Sequence, residues 1–140
     1  MMNSRFAWFA FLALLALGGR ALAGDELTKQ DLSDELPSIV SLASETELFT
    51  DFIASGQSRT NFTREHAAYL VESVQDEMKK LQKKPSPAIR NGYDECRADL
   101  LLLQSALKRI SDGPTESEIH QLHSQAHEIH QRLSSVAASL

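Results

Sequence analysis

The sequence predicts an all-α protein: an antiparallel up-and-down helical bundle with three long helices and a broken N-terminal helical region. Two apolar seams with alternating steps of four and three residues, at 89–110 and 119–140, and one apolar face at 67–81 carry that prediction. Breakers separate the three, with Pro85 and Pro87 after the first and Gly113-Pro114 after the second. No run of alternating polarity competes with them, so a sheet is not expected.

Ahead of the bundle, Arg5 precedes an uncharged stretch from Phe6 to Gly19, and Ala21-Leu22-Ala23 places small residues where a signal peptidase reads, just before Gly24. Residues 1–23 therefore read as a secretory signal peptide cleaved after Ala23, which predicts a periplasmic or secreted chain. A bilayer crossing takes about 20 apolar residues, and Gly18-Gly19-Arg20 interrupts the run sooner, so no membrane segment is expected after cleavage.

Removing the leader takes away Arg5 and Arg20 and no acid, leaving 12 Lys plus Arg against 19 Asp plus Glu, a net −7. That balance argues against a nucleic-acid partner and against attraction to an anionic lipid surface. Cys96 is the only cysteine, so stability must come from packing rather than an internal disulfide. Haem attachment through Cys-x-x-Cys-His is likewise excluded.

Residues 24–35 are acidic and poor in aromatics, and are expected to form a loosely ordered lead-in to a bundle domain at 36–140. Leu36, Ile39, Val40 and Ala43 open the first helical region. Ser44-Glu45-Thr46-Glu47 has the form of a capping box, which predicts a break near Ser44 and a second piece carrying Leu48, Phe49, Phe52 and Ile53 up to Gly56.

The next helix follows the polar link at 56–60 and presents Ala67, Leu70, Val71, Val74, Met78 and Leu81 on one face. Lys79, Lys80, Lys83 and Lys84 then form a solvated, cationic helix end. Ile89, Tyr93, Cys96, Leu100, Leu103, Leu107 and Ile110 make the seam of the third, with Leu101, Leu102 and Ala106 expected to widen it. Cys96 on that seam is expected to be buried and unreactive. Tyr69 and Tyr93 are expected to lay their rings on the core, hydroxyls outward. Thr115-Glu116-Ser117-Glu118 caps the last helix, whose seam is Ile119, Leu122, Ala126, Ile129, Leu133, Val136 and Leu140.

Four of the five histidines lie on that last helix. His120, His123, His127 and His130 are spaced three, four and three, with Glu116 one turn earlier, so they form one stripe. Each histidine directly follows a seam residue, which turns the stripe about 100° from the core and onto its flank. Imidazole is a common ligand of Zn, Cu and Ni, and His123 with His127 can direct two nitrogens at one ion. The whole ladder spans about 15 Å of axis, so one helix cannot wrap one ion with all of it. A weak, exchangeable site fits better than a closed structural one, with His66 and Glu116 as further contributors. Histidine is equally tolerated at such flank positions without a ligand, and four clustered imidazoles would charge together on mild acidification.

Catalysis finds no support in the motifs. Asp76-Glu77 and Asp94-Glu95 are adjacent pairs that point to different sides of a helix, and there is no phosphate loop or nucleophile elbow.

Arg90-Asn91-Gly92-Tyr93-Asp94 opening one helix and Ile129-His130-Gln131-Arg132-Leu133 near the end of the next resemble the last two helices of the soluble periplasmic b-type cytochromes. Those are four-helix bundles that hold haem non-covalently. The resemblance covers residues 90–133 and implies His130 as a haem ligand. That family's other ligand is a methionine of the first helix, and residues 24–60 contain none.

The expected function is thus an exported, non-catalytic bundle that acts by binding, with Zn, Cu or Ni on Glu116, His120, His123, His127 and His130. Two alternatives stand beside it. One is a protein-interaction or stress-protective module without metal, which would hold a partner or a second copy on apolar surface left over at 48–53 or on the acidic lead-in. The other is non-covalent b-type haem binding.

Overall fold

A computed structural model describes residues 24–140; the expected signal peptide lies outside the described residues. Four helices account for most of the described residues: α1 (Lys29–Ala54), α2 (Thr60–Lys80), α3 (Arg90–Ser111) and α4 (Glu116–Ser139). They form a ring in which each packs on its sequence neighbour and α1 closes on α4. The cross-helix contacts run in opposite directions along every pair. Ser38 meets Glu77 and Phe52 meets Phe62 between α1 and α2, while Asp99 meets Arg132 and Arg109 meets Glu118 between α3 and α4. The bundle is therefore antiparallel and up-and-down.

The N-terminal region differs from expectation. Residues 24–35 are not a loose lead-in. Thr28 caps α1, its hydroxyl accepting from the Asp31 amide while the Asp31 carboxylate accepts from the Thr28 amide at 2.8 Å. Leu32 and Leu36 already lie in the core. Two-residue strands β1 (Glu26–Leu27) and β2 (Lys84–Pro85) pair in parallel, and the Ser86 amide donates to the Leu27 carbonyl at 3.0 Å. Leu27 is buried beneath this clasp.

Nor is α1 broken near Ser44. Leu32, Leu36, Ile39, Ala43, Thr46 and Phe49 keep one buried stripe running through it, and the Glu47 carboxylate reaches His127 and His130 of α4 instead of closing a capping box with Ser44. Pro37 is accommodated because it lies on the solvent face, as does Ser33, whose carbonyl loses its helical partner there and is left to water.

The other elements follow the seams. Ile89, Tyr93, Cys96, Leu100, Leu103, Leu107 and Ile110 are buried, as are Ile119, Leu122, Ala126, Ile129, Leu133 and Val136. Ala106 joins them, but Leu101 and Leu102 do not widen the α3 stripe: both are exposed, because α3 has packed neighbours on only two sides. Tyr93 turns its hydroxyl inward, donating to the Leu81 carbonyl at 2.6 Å and so satisfying the end of α2. Gly56 (φ 73°) and Gly113 (φ 85°) make the turns after α1 and α3 in the left-handed region that suits glycine. Among the described residues no helix is long and apolar enough to cross a membrane.

Candidate functional site on the α1–α4 seam

The histidine stripe faces α1. The helix geometry that puts each histidine one residue past an α4 seam position also puts Glu47 one residue past Thr46, and Thr50 one past Phe49, on the flank of α1. Antiparallel packing brings the two flanks edge to edge. Glu47 Oε1 meets His127 Nδ1 at 2.7 Å, Glu47 Oε2 meets His130 Nδ1 at 2.6 Å, and Thr50 Oγ1 meets His123 Nδ1 at 3.1 Å.

These partners decide where the ring protons sit. An ionised carboxylate only accepts, so neutral His127 and His130 must each carry their proton on Nδ1. The hydrogen bond to His127 holds the Glu47 carboxyl below the usual carboxylate range, with His130 adding to it and partial burial opposing it. Thr50 donates its hydroxyl proton to the Glu47 carbonyl at 2.8 Å, so toward His123 it can only accept. In their neutral form all three imidazoles are thus held in one tautomer, with the lone pair on Nε2. Gln131 agrees: its side-chain nitrogen lies 2.9 Å from His127 Nε2, a donor facing a lone pair.

The remaining members of the expected site stand apart. His120 is exposed one turn beyond His123. Glu116, in the first turn of α4, lines an open cleft of about 350 Å³ with Arg64 and Pro114 rather than joining the histidines. His66 belongs to α2, across the ring from α4, where its Nε2 lies 3.4 Å from Glu45 and its ring stacks between Phe62 and Tyr69. Glu45 and Glu47 thereby serve opposite neighbours of the same helix. Cys96 is buried, and that burial first, then the charges of Asp99 and Glu77, push its thiol up to about 12.

Among the described residues no three His, Cys, Asp or Glu side chains form a group that could hold a metal ion. The expected five-residue set therefore does not converge. What the fold does assemble is a row of three oriented imidazoles, backed by a carboxylate and a hydroxyl. Carboxylates that fix the tautomer of a histidine from behind are a regular outer-shell feature of metal sites. His130, the residue implied by the cytochrome resemblance, is tied to this surface seam, and Ile129 and Leu133 beside it fill the interior.

Glu47 and Thr50 were not among the candidates read from the sequence. Reading Glu47 as half of a capping box concealed its other use. The available signal was its register: a carboxylate one step past a core position, matching the register of the histidines. Comparison with models of known protein families, with curated proteins and with solved structures gave no match.

Proposed function

We propose that the chain is exported after cleavage behind Ala23 and acts by binding rather than by catalysis, taking a divalent transition-metal ion on Nε2 of His123 and His127. The observation that supports this is the shared tautomer: contacts from α1 occupy Nδ1 of both rings and leave Nε2 as the basic nitrogen. Two imidazoles four residues apart on a helix can chelate one ion, with water completing its shell. Such a site is open and exchangeable, suited to buffering or delivery of Zn, Cu or Ni rather than to holding the fold together. Gln131 is exposed, and an ion on His127 Nε2 would take the place of its side-chain amide there.

Titration of the purified protein with Zn(II), Cu(II) or Ni(II), followed by calorimetry and by ¹⁵N spectra of the imidazoles, tests this reading. The Nε2 signals of His123 and His127 should move together, His127→Ala should abolish binding, and Glu47→Gln should weaken it by about tenfold or more. An unchanged melting temperature in large metal excess would overturn it, since a ligand of the native state must raise stability by mass action.

A further inference from the structure

The end of the bundle where α1 meets α2 carries an apolar surface that the metal reading does not use. Phe62, 48% exposed, lies edge-on to buried Phe49 (6.3 Å between centroids) and to Phe52 (6.1 Å), and stacks face to face on His66 at 5.4 Å. His66 continues the stack onto Tyr69, 57% exposed, at 5.9 Å. Leu48, 68% exposed, precedes Phe52 by one helical turn. Single exposed apolar side chains are common on soluble proteins, and the exposed pair Leu101 and Leu102 on α3 is of that kind. A ladder of rings shared by two helices is different, because it presents one continuous face.

The charges around this face have one prevailing sign. Glu45 contacts His66 within it. Asp51 follows Leu48 by three residues, Glu65 follows Phe62 by three and precedes Tyr69 by four, and Glu72 follows Tyr69 by three, so helical spacing sets these acids beside the apolar residues. Arg59 stands at the loop end of the stripe, and Arg64 turns away into the cleft near Glu116.

We infer that the α1–α2 face docks an amphipathic helix of another protein, one with an apolar side flanked by Lys or Arg. The apolar side covers Leu48, Phe52, Phe62 and Tyr69, and the flanking cations meet Glu45, Asp51, Glu65 and Glu72. This is the helix-on-groove mode of recognition, with aromatic anchors at the centre and complementary charge at the rim.

The test uses the purified protein and a fluorescent synthetic helix built of Leu and Lys. Two further peptides serve as controls, one of the same composition scrambled to destroy its apolar side and one with Glu in place of Lys. Anisotropy should report binding of the first peptide alone, weakened about tenfold by Phe62→Ser or by Leu48→Ser and unchanged by Leu101→Ser. Leu48 is 68% exposed, so Leu48→Ser should melt like the parent, whereas Phe62→Ser also loses ring packing and is compared at a temperature where it remains folded. Equal binding of the scrambled or Glu peptide, no response to Phe62→Ser, or no binding at all would overturn the inference. So would self-association abolished by Leu48→Ser, which would assign the face to a second copy.

Discussion

Thr50 and His123 meet at 3.1 Å across the α1–α4 seam, with the threonine's only proton already given to the Glu47 carbonyl. The imidazole must therefore be the donor. Thr50→Val removes the acceptor and keeps the shape, so His123 should then populate the tautomer protonated on Nε2. His127 and His130, held by Glu47, should not change. Long-range ¹H–¹⁵N spectra of the rings distinguish the two forms, and a His123 spectrum unaffected by Thr50→Val would contradict the assignment.

Asp99 is buried, and Arg132 closes it off from α4 with hydrogen bonds at 2.7 and 3.0 Å. Removing only the cation leaves a carboxylate without its partner in the interior. Arg132→Met is expected to cost about 3 kcal/mol in denaturant unfolding, and the double variant Asp99→Leu with Arg132→Met to recover most of that loss. Equal losses in single and double variants would show that the ion pair is not the cause.

The Glu118 carboxyl is lowered from 4.5 to about 2, first by the Thr115 backbone amide and then by Arg109 and the Thr115 hydroxyl. A depressed folded value means that its contribution is present above the ordinary carboxylate range and fades as pH falls toward about 2. The gap in melting temperature between the parent and Glu118→Gln should accordingly be widest at neutral pH and close across that window. A gap that stays constant would show that Glu118 does not act through its charge.

Cys96 lies wholly inside the α3 seam with its thiol pushed up to about 12. A thiol-reactive probe added at neutral pH should label the folded protein only as fast as it opens, and label it at once in denaturant. Rapid labelling under native conditions would place Cys96 on an accessible surface.

The fold was legible where hydrophobic period and breakers agreed. The α3 and α4 seams, the prolines after Leu81 and the glycines at 56 and 113 all do what their chemistry suggests. Two readings failed for a shared reason. The acidic character of residues 24–35 hid Leu27 and Leu32: Leu27 is buried under the strand clasp, and Leu32 starts the buried stripe that Leu36 continues along α1. At Ser44–Glu47 a local capping pattern competed with a tertiary use of Glu47, and the tertiary use prevailed. The histidine stripe was readable from its spacing alone. Its partners were not, because pairing of flanks depends on which helices become neighbours, and no local pattern contains that.

Glu47 and His127 are separated by 80 positions in the chain. The seam that orients the imidazoles joins the first helix to the last, so its formation must wait for the longest loop in the molecule to close. A partly assembled chain with α4 still undocked has no fixed ring protons on that helix, and the shared tautomer of His123, His127 and His130 is therefore a spectroscopic mark of completed folding.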